Sequence, residues 1–491
     1  MNTIPLNTPV IVGVGIENQK LPDPTAAKNA SELMTDALHK AAADAGTDQL
    51  IKECDYIMVP QGMWAYQDPG KILAQATGAT KAKTLFAQIG ILQQTLLGEA
   101  AQRISQGTAD IVVVAGGEAR YRQLMADINL IEVSDCVQTS QPDEVLTPDE
   151  EMWLEAESNA GLAMPVGFYA LLEVAKRYKS GMSVEKHRDY LGNLYSRFSE
   201  IACDNPYAWK PERIDADAIR NASEKNKMLA FPYTKLHNTS WNVDQASALI
   251  YCSVEKALEL EIPREKWIFP RCSVESNHMI NVSQRQDLAH STGAAQAGAR
   301  CLELAKLDIS EIDYLDLYSC FPIAVQAYAD ALGAPSTKDY TFTGGMPFAG
   351  GPLNNYVLQS TCLLVELLRK KPGSHGLVSS VSGLMTKQGF GIFSTEPCED
   401  GFQRDDVTAA VAKLEPGIEI IESYSGTATI IAYTVLYQNG EPWRLVAICD
   451  TDDGKRAIAV SEDDHLKAIA MKDELCGKIA SIKENALISF E

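Results

Sequence analysis

Asp316-Leu317-Tyr318-Ser319-Cys320-Phe321-Pro322 and, further on, Gly344-Gly345-Met346-Pro347-Phe348-Ala349-Gly350-Gly351-Pro352 decide how this chain is read. The first stretch sets Tyr318 at the C-terminal end of a buried strand and then turns through Ser319 and Cys320. The second is a loop whose glycines permit a tight path. It runs on into Leu353-Asn354-Asn355-Tyr356, where the asparagines stand at a helix start and suit a cap.

Working outward, the apolar run Pro9–Gly15, punctuated by glycine, predicts a strand buried on both faces. Leu33, Met34, Ala37, Leu38, Ala41 and Ala42 then recur at helical spacing, with Ser31 as the expected cap and Gly46 as the stop. A strand at Tyr56–Val59, a helix over 92–106 and the strand Ile111–Gly117 continue an alternation that implies parallel strands and crossover helices. Residues 119–236 break the rhythm with Pro, charge and aromatics, and read as a largely helical insertion with amphipathic segments at 168–178 and 184–203. Alternation returns through Ala246–Cys252, Trp267–Cys272, a helix over 294–305 and Tyr314–Tyr318, and it ends with strands at 376–381 and 390–394. After about residue 399 the pattern is strand and turn, which predicts a small antiparallel barrel of OB-like type.

At 491 residues with 46% hydrophobic content, the chain is long enough for more than one buried core. Its 65 Asp and Glu against 43 Lys and Arg give a net charge of −22, which repels a polyanion, so no nucleic acid is expected as a partner. The 11 cysteines lack paired spacing, and several sit in apolar runs such as Ile250-Tyr251-Cys252, a pattern of reduced thiols in a cytoplasmic protein. The stretch Met1–Asn7 has no basic region followed by a long apolar one, and no run has the length to span a bilayer, so no membrane association is expected.

With these motifs placed, the chain resembles the thiolase superfamily over about residues 9–396, and within it the sterol-carrier-type, acetyl-CoA acetyltransferase-like proteins that carry an additional C-terminal domain. Pro9–Gly15, Ala109–Glu118, Phe231–Lys235, Trp241–Ala246, Ser283–Ser291, Asp316–Pro322 and Gly344–Tyr356 carry the likeness, in family order. It implies a duplicated α/β fold: two βαβαβαββ halves layered α/β/α/β/α, plus the helical insertion and the C-terminal barrel. The expected units are 1–118 and 119–240, the N-terminal half with its insertion; 241–398, the C-terminal half; and 399–491, the additional domain. The family pairs through the sheet edge beside its nucleophile helix, so a homodimer or a co-encoded partner subunit is expected.

Thiolases use a cysteine nucleophile, an activating histidine and a second cysteine. No cysteine lies between Cys54 and Cys136, and Gly90 stands at the nucleophile position. Gly351 stands where the family has its histidine, and the run Ser379–Gly383, including Ser382, holds no second cysteine. The resemblance extends to steroid side-chain aldolases of the same fold, whose Tyr-Asp-Cys-Phe turn matches Tyr318–Phe321 with Ser319 in place of the Asp, and whose second tyrosine matches Tyr356. It implies Tyr318, Tyr356 and Cys320 as catalytic groups. Gly90, His278, Gly344, Gly345, Gly350, Gly351, Asn354, Asn355 and Ser382 are then expected to bind an acyl-CoA, as substrate or ligand, with no permanently bound cofactor and no metal. Two functions stay open: carbon–carbon bond chemistry of retro-aldol type run by tyrosines, and a non-catalytic acyl-CoA-binding or partner-dependent subunit. Structural roles compete at each position, since a strand-end tyrosine or a buried cysteine is commonly a packing residue.

Overall fold

The computed structural model describes residues 4–136, 138–148 and 152–491; Met1 to Thr3 of the N-terminal stretch lie outside the described residues. Two mixed sheets form the frame. The first has six strands in the order Pro9–Gln19, Asp244–Ser253, Ile111–Ala119, Tyr56–Pro60, Lys83–Ala87 and Glu144–Leu146. Its first three strands pair antiparallel and the others parallel. The second has five, in the order Tyr314–Asp316, His375–Ser382, Lys387–Ser394, Phe269–Ser276 and Gln403–Asp406, with the outer pairs parallel and the inner ones antiparallel.

The helices Gln93–Ser105 and Tyr356–Lys370 lie between the sheets, each touching strands of both. Helices Ala30–Ala45 and Pro69–Thr77 cover the first sheet outside, and Thr292–Ala305 covers the second, which gives the layers α/β/α/β/α. Two side chains of the middle layer tie it to its neighbours: Gln94 Nε2 donates to Ser273 Oγ at 2.9 Å, and Gln93 Oε1 accepts from the Val357 N–H at 2.8 Å. Close layering depends on glycine at the first strand. A Cβ at Gly13 would sit 2.3 Å from the Ala41 carbonyl oxygen, and one at Gly15 would sit 2.0 Å from that of Ala37. The cap of that first helix is Asn29 rather than Ser31. Asn29 and Glu32 form a reciprocal capping box, and the Ser31 hydroxyl donates to Asn29 Oδ1 at 2.8 Å.

The insertion is led by helices Pro165–Ser180 and Val184–Ala202 and returns through a short strand, Met228–Ala230. The C-terminal unit holds strands Ile420–Ile421, Gly426–Gln438, Glu441–Asp450, Arg456–Ser461, Ile479–Lys483 and Ala486–Phe490. Its hydrogen-bonded pairs run from Gly426–Gln438 through the strands at 441, 456, 486 and 479 and return to Gly426–Gln438. The strand Gln403–Asp406 belongs elsewhere: it pairs with Phe269–Ser276 in the second sheet, so the layered core reaches past residue 398. Among the described residues no disulfide forms, and no helix is long and apolar enough to cross a membrane.

Candidate active site

The edge strand Tyr314–Asp316 ends at a turn that is fixed from three sides. Leu317 N–H donates to the Tyr340 carbonyl at 2.9 Å, Tyr318 N–H donates to Ser379 Oγ at 2.8 Å, and Ser319 Oγ accepts from the Met346 N–H at 2.9 Å. The last contact ties the turn to the glycine loop. Pro322 then opens helix Pro322–Leu332 at its first position, where a missing N–H costs nothing. Held in this way, Tyr318, Cys320 and Phe321 face a cavity of about 430 Å³. Its other walls come from Met164 to Val166 and Tyr169 of the insertion, from Leu229, and from Thr239 and Trp241. None of its lining residues is charged.

Tyr318 is 8% exposed, and its hydroxyl makes no hydrogen bond to any described residue. Burial, and next the neighbouring Cys320, push its pKa well above that of a free tyrosine, so at neutral pH it remains a hydrogen-bond donor. Burial also pushes the Cys320 thiol up to about 12, against a hydrogen bond from the Tyr169 hydroxyl that favours the thiolate. Tyr169, buried and stacked on Phe321 with ring centroids 4.3 Å apart, is itself held well above the usual phenol range by burial and then by Cys320. The cavity is therefore apolar, and three protonated groups converge on one wall.

Tyr356 does not share it. Its hydroxyl lies 3.0 Å from Asp316 Oδ2 and 2.8 Å from Thr343 Oγ1. Asp316, fully buried, also accepts from Thr341 at 2.6 Å and Ser360 at 2.7 Å, while burial raises its pKa. The Tyr356 ring meets that of Tyr318 edge-on, at 5.7 Å between centroids, so it supports the cavity tyrosine from behind. His278 is also elsewhere. Its Nε2 lies 3.1 Å from the Glu415 carbonyl, in a small polar recess shared with His290 and Arg285, because the loop after Phe269–Ser276 carries it toward helix Thr408–Leu414.

Among the expected binding residues, only Gly351 lines the cavity, where a Cβ would meet Thr239 Cγ2 at 2.0 Å. Gly344 and Gly345 pack on the helix Val184–Ala202, within 2.4 Å of Ala202 Cβ and 2.6 Å of Phe198 Cδ2 for a built Cβ. Gly350 abuts the Gln245 amide, and Gly90 abuts Pro148. Asn354 Nδ2 donates to the Gln61 carbonyl at 2.7 Å, and Asn355 Oδ1 accepts from Ser247 Oγ at 2.6 Å, so both join elements rather than face the cavity. Ser382 sits between two lining residues, Val381 and Gly383, without lining it. Sequence reasoning missed Tyr169, Thr239 and Trp241 as cavity residues. Tyr169 belongs to the amphipathic segment 168–178, where an aromatic on the apolar face reads as core.

Known proteins match both parts of this architecture. A family model described as the thiolase-like protein type 1 additional C-terminal domain matches residues 406–486. An acetyl-CoA acetyltransferase of Methanocaldococcus jannaschii is 24% identical over 306 residues, 61% of this chain and 70% of the relative. A solved structure of a monomeric SCP2-thiolase like protein type 1 from Mycobacterium smegmatis aligns with a TM-score of 0.82 at 27% identity, covering 98% of each chain. The Ltp2-ChsH2(DUF35) aldolase shares the fold, with a TM-score of 0.60 at 18% identity over 79% of this chain and 98% of that chain. The layered core, the aligned relatives and the matched C-terminal segment together make the chain similar to thiolase-like proteins with an additional C-terminal domain.

Proposed function

We propose that the cavity takes the acyl part of a coenzyme A thioester and supports carbon–carbon bond chemistry of retro-aldol type, with the Tyr318 hydroxyl donating to the thioester oxygen. The observation that carries this is the unpartnered hydroxyl of Tyr318, a residue more than nine-tenths buried, at an uncharged cavity. In a retro-aldol cleavage the β-hydroxyl loses its proton, the Cα–Cβ bond breaks and its electron pair passes to the thioester as an enolate. A donor already desolvated and aimed at that oxygen stabilises the enolate more than the starting carbonyl. The products are an aldehyde or ketone and a shortened acyl-CoA once Cα is protonated. This sequence is redox-neutral and balances without a bound cofactor. Condensation through an acyl-cysteine fits poorly, since no cysteine lies between residues 54 and 136 and Gly351 stands at the histidine position. The closed run of strand pairs in the C-terminal unit fits the OB-like barrel, and the buried thiols fit a cytoplasmic location.

One observation favours a second reading, a binding subunit that turns over only with a co-encoded partner. The proton of the β-hydroxyl needs an acceptor, and Tyr318, Cys320 and Tyr169 are all pushed toward their protonated forms. The test is incubation with a β-hydroxyacyl-CoA, with carbonyl product followed by mass spectrometry. Tyr318→Phe is expected to lower kcat by about 10²-fold, the cost of losing one oxyanion donor. Undiminished turnover in Tyr318→Phe sinks the proposal. Calorimetric binding of the thioester with no turnover selects the second reading.

A further inference from the structure

Two pieces of the cavity wall belong to the insertion, and the C-terminal unit grips both. On helix Pro165–Ser180, Tyr169, Glu173 and Arg177 recur every four residues and so share one face. Tyr169 faces the cavity. Glu173 is buried one turn on, accepting from the Tyr233 hydroxyl at 2.5 Å and from Gln326 Nε2 at 2.8 Å, with His187 Nε2 at 2.9 Å. Arg177, a further turn on and buried, reaches the C-terminal unit. Its guanidinium meets Glu474 with two bonds, at 2.6 and 2.9 Å, and donates to the Tyr433 hydroxyl at 3.1 Å. That hydroxyl donates in turn to the Asp473 carbonyl at 2.9 Å.

The second piece is Leu229, in the strand Met228–Ala230. This strand is an added member of the C-terminal sheet: Ala230 pairs with Leu436, Phe231 N–H donates to the Val435 carbonyl at 2.9 Å, and Thr434 Oγ1 donates to the Phe231 carbonyl at 2.8 Å. The unit itself is pinned to the layered core. Arg456, buried, donates through Nη1 to the Ser283 and Arg285 carbonyls at 2.8 and 2.5 Å. Arg285 donates to the Leu384 and Met385 carbonyls, both at 2.7 Å, next to Gly383 of the cavity.

We infer that the C-terminal unit is a positioning element of the acyl site, setting Tyr169 through Glu474 and Arg177 and setting Leu229 through the strand Gly426–Gln438. A helix transmits this well, since its backbone ladder keeps the two turns between Arg177 and Tyr169 at a fixed spacing. Arg177 and Glu474 are positioning residues; neither lines the cavity. The inference rests on the acyl-thioester reading of the cavity for its ligand, but not for its mechanics, so the test has two arms.

In the first arm, full-length wild type, Arg177→Met, Arg177→Lys and Glu474→Gln are titrated with octanoyl-CoA and with coenzyme A. Arg177→Met and Glu474→Gln are expected to weaken octanoyl-CoA by about tenfold or more, with coenzyme A within about twofold and partial recovery in Arg177→Lys, because only the acyl wall shifts. Unchanged octanoyl-CoA binding, or an equal loss for both ligands, overturns the inference. The second arm is hydrogen exchange on ligand-free Glu474→Gln, a change at a part-exposed site. Faster exchange is expected across residues 168–172 and 229–231 as well as near residue 474. Faster exchange confined to residues near 474 overturns the inference. A wild type that binds neither ligand defeats the proposed function alone, and the exchange arm then decides the positioning role.

Discussion

Glu118 closes the strand Ile111–Ala119 with a buried carboxyl, where Oε1 accepts the Met63 N–H at 2.7 Å. Burial pushes its pKa up to about 7, outweighing the Met63 hydrogen bond and the attraction of Arg120. A folded-state value above the unfolded one means that ionisation favours unfolding. The stability tied to the neutral form is complete below the unfolded pKa and is lost as pH rises through about 7. The full effect is on the order of 3 kcal/mol, since each pKa unit corresponds to about 1.4 kcal/mol. Glu118→Gln keeps an acceptor for Met63 and removes the charge. Urea unfolding is expected to find the variant more stable than wild type at about pH 8, by about 1–3 kcal/mol, and equal to it at about pH 4. A variant no more stable at the higher pH would show that the carboxyl is solvated as it ionises.

Among the elements, the approach of helix Ala30–Ala45 to strand Pro9–Gln19 sets how tightly the first layer closes. Gly15 allows it, and Gly15→Ala would put a Cβ 2.0 Å from the Ala37 carbonyl oxygen and 2.7 Å from the Ala41 nitrogen, both backbone atoms that only a shift of the helix can clear. The expected loss is about 2 kcal/mol or more, read as a lower Cm in urea with an unchanged m-value. The strand and this helix were legible because their signals are local: an apolar run, a helical stripe and a glycine stop. Even the cap erred by only two residues, Asn29 for Ser31, since both types accept from helix N–H groups. What stayed hidden depends on distant partners. Gln403–Asp406 reads as part of the terminal unit until its pairing with Phe269–Ser276 is seen, and Tyr169 reads as core until Phe321 and Cys320 stand beside it. Tyr356 shows the same limit from the other side. Its motif matched, but the Asp316 and Thr343 side chains that claim its hydroxyl lie 40 and 13 residues away.

For the whole molecule, the resemblance led to pairing of two copies through the edge of the first sheet, and the fold closes that edge. The strand Glu144–Leu146 lies parallel to Lys83–Ala87, matching Leu85 with Glu144, Phe86 with Val145 and Ala87 with Leu146. The cover is fastened at both ends. Asp143 Oδ2 accepts the Thr84 N–H at 2.8 Å, the Gln88 N–H donates to the Leu146 carbonyl at 2.9 Å, and Arg103 holds the Glu144 carboxylate with bonds of 3.0 and 2.6 Å. Main-chain groups that a second copy would need are already engaged, and the new edge is only three residues long, too short to template a stable continuation. The chain is accordingly expected to sediment as a monomer across a dilution series. A concentration-dependent dimer would mean that Glu144–Leu146 detaches or that a different face associates. Hydrogen exchange at the Thr84 and Gln88 amides separates these: protection lost on dilution marks detachment and reclosure by a partner, while steady protection marks another face.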